Sequence, residues 1–371
     1  MSTAQKTTAA KLEIDDEVGR SWTLPASVYR DANVLEREKA EIFGRAWQIV
    51  GRREQVANTG DYFCAQLLGE PLLITRGKDG ELRGFYNVCR HRAGPPAEGC
   101  GNRKVFRCGY HGWTYSLDGH LLNAPEMEGT ENFRFADFSL KPVQVAEWGL
   151  WVFVNLDDNA AGLPGFLGKL PQQVARFEFE KLKLFERRDY IMDCNWKVYI
   201  DNYLEGYHLP SVHPGLNREL DYSAYAIETY QNYSRQWSPI RGPENESTTQ
   251  RRYSQAKGDD IADYYWIFPN WMLNCYPDNM SLNIVLPLGL EKTLAIFEWY
   301  FSDEAIKTDA PQITVKFSDE IQIEDGAICE AVHKNLKSRA YDRGRFSAKQ
   351  ERCVHHFHKL YAELMGWRSS T

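Results

Sequence analysis

Val88-Cys89-Arg90-His91 and Arg107-Cys108-Gly109-Tyr110-His111-Gly112 decide how the N-terminal half of this chain is read, with sixteen residues between His91 and Cys108. Each half sets one thiol beside one imidazole. Each follows a strand-like run, Phe85-Tyr86-Asn87-Val88 before the first and Val105-Phe106-Arg107 before the second. Loops at the ends of two strands can close on one centre from both sides. Gly109 and Gly112 let backbone approach closely, so their region can offer N–H groups to bound sulfur.

Two centres take two thiolates and two imidazoles. A zinc site is one, but zinc fingers group cysteines with cysteines and histidines with histidines, whereas here they alternate. The order Cys-x-His, then Cys-x-x-His, is that of a Rieske [2Fe–2S] centre, in which two histidines replace two cysteines on one iron. Outward from the loops the sequence is strand-like. Tyr62-Phe63-Cys64 and Pro71-Leu72-Leu73-Ile74-Thr75 are short β runs, Lys78-Asp79-Gly80 signals a turn, and Trp113-Thr114-Tyr115 with Asp118-Gly119 reads as strand and hairpin. Trp151-Val152-Phe153-Val154-Asn155-Leu156 reads as a buried strand, and Asp157 to Gly162 as a boundary. Upstream, Val34 to Trp47 reads as a helix, and residues 1 to about 20 as weakly ordered.

Beyond the boundary lies a second chemical stretch, Asn195-Trp196-Lys197-Val198-Tyr199-Ile200-Asp201-Asn202-Tyr203-Leu204-Glu205-Gly206-Tyr207-His208-Leu209-Pro210-Ser211-Val212-His213. On a helix, Trp196, Tyr199, Ile200, Tyr203, Leu204 and Tyr207 form an apolar stripe, and Asp201, Glu205 and His208 a second line. Pro210 is expected to end the helix and let His213 swing beside His208. Two imidazoles with a nearby carboxylate can hold a divalent metal. Further on, Ile321 to Leu336 reads as helix, with Asp325 on one face with Ile321, Ile328 and Val332; helical phase leaves Glu324 open as an alternative carboxylate. His355-His356-Phe357-His358 reads as helix surface or a contact between copies.

Composition bounds the partners. At 371 residues there is room for two cores. A net charge of −7 excludes a nucleic-acid footprint. No run reaches the about 18 apolar residues of a membrane span, and the first residues lack the apolar core of a secretory signal, so a cytoplasmic protein is expected. Eight cysteines in a chain of this length are expected as thiols or metal ligands. No Gly-x-Gly-x-x-Gly segment offers a nicotinamide site.

Through Cys89 to His91, Cys108 to His111 and Asn195 to His213, the chain resembles the catalytic α subunits of Rieske non-haem iron oxygenases over nearly its whole length. The resemblance implies an α+β protein: an N-terminal segment, 1–45, on the catalytic domain; an all-β Rieske [2Fe–2S] domain, 46–158; and a helix-grip catalytic domain, 159–371, with an antiparallel sheet and helices. By it, Cys89 and Cys108 bind one cluster iron and His91 and His111 the other. The loops lack the extra cysteines of respiratory Rieske proteins, and Cys100 is read as a plain thiol. His208, His213 and Asp325 would hold a mononuclear Fe(II). Glu205 would bridge that iron's histidine to a cluster histidine of the next subunit in a homotrimer, with Asp201 the alternative. A separate flavin or iron–sulfur reductase, with or without a ferredoxin, would deliver electrons, so NAD(P)H acts only indirectly.

Glu205, and the C-terminal run from Gln322-Ile323-Glu324-Asp325 to Arg339-Ala340-Tyr341-Asp342-Arg343-Gly344-Arg345-Phe346 with His355 to His358, are similar to the choline and carnitine monooxygenase subgroup, which implies a quaternary ammonium substrate and O2. Tyr222, Tyr225, Tyr230, Tyr233, Trp237, Tyr265, Trp266 and Trp271 are candidates for an aromatic cage, most of them expected in the sheet core. Aromatic hydroxylation or O-demethylation of an aromatic acid is the alternative within the class, and a Rieske electron carrier with a degenerate second site the alternative outside it.

Overall fold

Alternating apolar residues between Gly, Asp and Asn turns build the first half as antiparallel sheet. The computed structural model describes residues 14–241 and 260–367; the expectation for residues 1–13 lies outside this range. Two compact units form, one spanning Phe43–Phe166 and the other running from Leu167 together with the segment ending at Ile42. The boundaries read from sequence, 45/46 and 158/159, lie three and eight residues from these.

In the first unit, the outer strands Gln48–Arg52, Trp151–Asn155 and Pro142–Trp148 join Leu82–Tyr86, Glu70–Arg76, Asp61–Leu67 and Cys100–Asn102 in one seven-stranded sheet. Trp151–Asn155 is buried along its whole length. A three-stranded sheet, Val105–Arg107, Thr114–Ser116 and Leu121–Asn123, carries the second Cys/His loop between its first two strands. The hairpin turns at Gly119, whose φ of +83° suits glycine. Cys89 and Cys108 belong to a core with Phe106, Trp113 and Tyr115.

The second unit is a seven-stranded antiparallel sheet, in the order Lys183–Met192, Lys292–Phe301, Asn279–Gly289, Trp271–Cys275, Ile261–Ile267, Tyr233–Pro239 and Ala226–Thr229. Helices Trp196–Tyr203, Ala310–Asn335 and Arg352–Leu364 accompany it. Among the described residues no helix is long and apolar enough to cross a membrane.

Several sequence expectations are corrected here. The helix expected over Val34–Trp47 runs Ala32–Glu41. Ile42 caps it, Phe43–Arg45 is a single 3-10 turn, and the first strand has begun by Gln48. The metal-site helix stops at Tyr203, well before Pro210. Pro210 instead opens a short helix, Leu209–Val212, a first-turn position that its missing N–H suits. Tyr207 is therefore exposed and not part of an apolar stripe. On the long helix the buried line is Val315, Gln322, Gly326, Cys329 and His333, while Ile328 and Val332 face outward. The face assigned to Asp325 by its β-branched neighbours is thus not the buried one.

His355 and His358 are not on the surface either. They are 6% and 1% exposed. The N-terminal segment covers them: His358 Nδ1 accepts from the Leu24 N–H at 3.1 Å, and His355 Nε2 meets the Asp15 carbonyl at 2.7 Å. Partners more than 300 positions away leave no local trace in a helix pattern.

Candidate active site

The site-bearing helix starts where Asn195 caps it, its side chain accepting from the Lys197 N–H at 3.1 Å. Its first turn is anchored in the core by a buried ion pair. Lys197 Nζ lies 2.6 Å from Glu38 Oε1, and both side chains are almost fully buried. Trp196 Nε1 and the Tyr361 hydroxyl also donate to Glu38, and the rings of Tyr29, Trp196 and Tyr361 surround the ammonium.

Past the helix end at Tyr203 the chain turns through Leu204-Glu205-Gly206. A Cβ on Gly206 would lie 2.7 Å from the Tyr225 ring, so only glycine lets that ring sit there. The freed backbone brings Glu205 back onto His208. Glu205 Oε1 meets His208 Nδ1 at 2.6 Å, and Oε2 accepts the His208 backbone N–H at 3.0 Å. Two short helices that both carry proline in the first turn, Leu209–Val212 and Pro214–Glu219, fix His213 between them at 1% exposure.

One ligand atom from each of His208, His213 and Asp325 lies within 4.8 Å of the others. His213 Nε2 is 2.9 Å and His208 Nε2 3.6 Å from Asp325 Oδ1. Asn202 donates to the same oxygen at 2.6 Å. Glu324 meets His213 Nδ1, the far ring nitrogen, at 2.6 Å. Carboxylates only accept, so Glu205 and Glu324 hold a proton on Nδ1 of each histidine; a metal taking the place of the His213 Nε2–Asp325 contact would then meet an Nε2 lone pair from each ring. Burial works against protonation of His213, but its contacts with Asp325 and then Glu324 carry the pKa above the ordinary value. Two neutral imidazole donors and one carboxylate suit a divalent iron. Of the two carboxylates left open by helical phase, Asp325 faces the centre and Glu324 supports a histidine.

Asp201 goes elsewhere. It accepts from the Tyr29 hydroxyl at 2.6 Å and meets His358 Nε2 at 2.9 Å. Because His358 Nδ1 already accepts from Leu24, its proton sits on Nε2 and is donated to Asp201. Asp201 therefore ties the helix to the N- and C-terminal segments, away from the metal donors.

A cavity of about 100 Å³ opens beside the metal donors. Its aromatic lining is Tyr199, Tyr203, Tyr225, Tyr264, Tyr276 and Phe297. Burial holds the hydroxyls of Tyr199, Tyr203 and Tyr225 well above the usual range, so these rings stay neutral. Of the cage candidates named from sequence, Tyr225 alone lines the cavity. Tyr265, Trp266 and Trp271 are buried in the sheet. Tyr230 and Tyr233 stack on each other at 4.4 Å, and Arg235 covers Trp237. Alternation along each strand decided the difference: Tyr264 faces the cavity, and its neighbour Tyr265 turns away.

The four Cys/His residues of the first unit come together as read. Cys89 and Cys108 are 3% and 2% exposed, and Cys89 Sγ meets the Tyr115 hydroxyl at 3.1 Å. Burial raises the Cys108 thiol, opposed by backbone N–H groups of Tyr110 and His111 that point at it. His91 and His111 stand 4.6 Å apart between ring centroids, with His111 exposed. His91 stacks on Trp113, and its Nδ1 is buried with no partner among the described residues. A Cβ on Gly94 would come within 2.8 Å of Cys108 Sγ. A buried thiol pair, an orphaned imidazole nitrogen and a glycine against the sulfur fit a [2Fe–2S] cluster with histidines on its outer iron.

Amide side chains were the residues that sequence reasoning missed. Asn202, Gln236, Asn274, Asn283 and Gln322 all line the cavity. Asn202 and Gln322 stood in quoted segments without being singled out, and nothing local marks the others, because strand register and helix phase put them there.

A model of the Rieske [2Fe-2S] domain matches residues 46–134, and one of the ring hydroxylating alpha subunit catalytic domain matches 179–367. The chloroplastic choline monooxygenase of Arabidopsis thaliana is 37% identical over 358 residues, covering 92% of this chain and 82% of its own. The carnitine monooxygenase oxygenase subunit of Escherichia coli K12 is 33% identical over 359 residues, covering 93% and 94%. Among solved structures, a quaternary ammonium Rieske monooxygenase superposes with a TM-score of 0.84 at 31% identity, covering 95% of this chain and 99% of that one.

Proposed function

This chain belongs to the Rieske non-haem iron oxygenases, and from that premise we propose that it oxygenates a quaternary ammonium compound, by hydroxylation or N-demethylation. Its cofactors are a Rieske [2Fe–2S] cluster and a mononuclear iron, with electrons supplied by a separate reductase. When bound, these groups supply single electrons and activate O2 beside the substrate.

In this reading Cys89 and Cys108 hold one cluster iron and His91 and His111 the other, while His208, His213 and Asp325 hold the mononuclear iron. Glu205 and Glu324 fix the tautomers of the two histidines, and Asn202 orients Asp325. Glu205 also serves as the hydrogen-bonded link from His208 to a cluster histidine of a second copy in a homotrimer. A flavin or iron–sulfur reductase, with or without a ferredoxin, is the electron partner, and the cytoplasm the location.

The observation that carries the substrate class is the lining of the cavity. Neutral aromatic rings and the carboxylates of Glu205 and Asp325 surround it, and among the described residues lining it there is no Lys or Arg. Aromatic faces attract a quaternary ammonium by about 0.5–2 kcal/mol each when desolvated, whereas an aromatic acid would want a cationic partner. Both relatives described above act on quaternary amines by name.

The test is NADH and O2 consumption with a surrogate reductase, over quaternary amines and aromatic acids, with products identified by mass. Turnover confined to quaternary amines is expected. Turnover of aromatic acids instead would overturn the substrate class, and cluster reduction without substrate-dependent O2 use would point to an electron carrier.

A further inference from the structure

Charge is unevenly placed in the first unit. Residues 43–166 include 13 Lys and Arg against 14 Asp and Glu, yet five of those cations fall between positions 90 and 107 beside a single carboxylate, Glu98. Elsewhere in the unit arginines find partners: Arg52 pairs with Glu54, Arg76 with Glu147, Arg83 with Asp79 and Arg134 with Asp137. Arg90, Arg92, Arg103, Lys104 and Arg107 are exposed, and none of them meets a carboxylate at ion-pair distance among the described residues. On a chain of net charge −7 these five make a local field opposite in sign to that of the molecule.

The strand Val105–Arg107 organises one flank of this patch. Phe106 turns into the core, at 0% exposure, so Val105 and Arg107 face outward, with Val105 38% exposed. Arg107 immediately precedes Cys108, read above as a cluster ligand. Arg103 and Lys104 stand at the other end of the strand. The Arg103 guanidinium lies over the Tyr62 ring at 5.1 Å, and Tyr62 packs edge-on against Phe106 at 5.4 Å. Three cations therefore flank one exposed aliphatic side chain, on a strand that leads into the second Cys/His loop. An apolar centre with a charged rim is the anatomy of a protein-docking surface, and rim charges left unpaired select a partner of opposite sign.

We propose that Arg103, Lys104, Val105 and Arg107 form the docking surface for the electron-donating protein, which meets them with an acidic face. In the reading above, Glu205 of a second copy takes a cluster histidine at the tip of the loops. The flank along Val105–Arg107 leaves that contact undisturbed and still runs directly into Cys108. Attraction between such surfaces acts mainly on the rate of encounter, and salt screens it. The inference rests on a separate reductase supplying the electrons, and deepens that reading by naming the surface and the charge it selects.

The experiment measures binding of an oxidised, acidic [2Fe–2S] ferredoxin to the cluster-loaded full chain by surface plasmon resonance, across a salt series. Arg103→Glu with Lys104→Glu is expected to weaken binding roughly 10- to 100-fold at about 20 mM salt, the difference shrinking to within about threefold at about 0.5 M. Cluster absorption, iron content, mass in light scattering and the extent of reduction by excess dithionite stay those of the wild type. Binding also stays unchanged in Lys307→Glu, a charge reversal on an exposed residue of the second unit. Should the double reversal fail to fold, Arg103→Gln with Lys104→Gln gives a smaller loss with the same salt dependence. Wild-type binding that is absent or indifferent to salt, or that survives the reversal, overturns the proposal. A reversed protein that loses its assembly mass assigns the patch to contact between copies, which overturns it as well. A wild-type protein that binds the ferredoxin yet takes no electron from its reduced form removes the electron-supply reading itself, and this inference with it.

Discussion

Asp201 and Glu205 lie one helical turn apart in sequence, yet they serve different parts of the molecule. Asp201 closes a buried triad with Tyr29 and His358, while Glu205 grips both the ring and the backbone of His208. Loss of a carboxylate that orients a metal-bound histidine commonly costs 10- to 100-fold in affinity or activity. For Glu205→Ala the expected outcome is full cluster absorption, mononuclear iron retained, and single-turnover product from the chemically reduced protein reduced about 100-fold. Metal analysis run beside product yield separates the outcomes: near wild-type yield removes Glu205 from the link between centres, and lost iron makes it a support of the site instead. At this scale the sequence was most legible where chemistry demands rare residue types at fixed spacing, as at Cys89 to His111 and His208 to His213. It was silent where the residue is a common amide, as with Asn274 or Asn283, whose role depends on strand register.

The metal-site helix owes its position to an ion pair that it buries at its first turn. Lys197 and Glu38 are both almost fully enclosed, and Glu38 accepts from Lys197, Trp196 and Tyr361 together. Removing one partner of such a pair strands the other charge, at a cost of about 3–5 kcal/mol. Lys197→Met should lower unfolding free energy by that amount in denaturant titration, and Lys197→Met with Glu38→Gln should recover most of it. A double variant as unstable as the sum of the singles would mean that packing, not charge, holds the turn. The C-terminal helix has its own titrating element. Burial lowers the pKa of His356 to about 4, and its Nε2 has no partner among the described residues. Between pH 6.5 and 4 the unfolded chain binds the proton that folded His356 refuses, so stability is fully present above about 6.5 and falls on acidification, by up to about 3 kcal/mol. His356→Gln should flatten the acid limb of the stability–pH curve in that window; an unchanged slope would place the proton elsewhere. Elements were readable from sequence when one face was apolar, as in Trp151–Asn155. They were hidden when charges alternated, as in Lys183–Met192, or when the covering partner lay hundreds of residues away, as for His355 and His358.

At the scale of the whole molecule, the chain devotes one compact unit to each metal set: Cys89, His91, Cys108 and His111 in the first, His208, His213 and Asp325 in the second. The class of each unit was legible because motif spacing and strand pattern agreed independently. The substrate cavity was not, since its walls are assembled from many separate elements, among them the 196–203 helix, the 310–335 helix and the strands carrying Gln236, Tyr264, Asn274, Asn283 and Phe297. We infer that the two sets hold separate centres, both required to oxygenate substrate. It is tested most directly by iron content, visible absorption and product yield of His208→Ala, measured beside Cys108→Ser. His208→Ala should keep the cluster spectrum, lose roughly one third of its iron and form no product, while Cys108→Ser loses the spectrum. A folded His208→Ala protein that lost the cluster spectrum, or still formed product at the wild-type rate, would contradict the account.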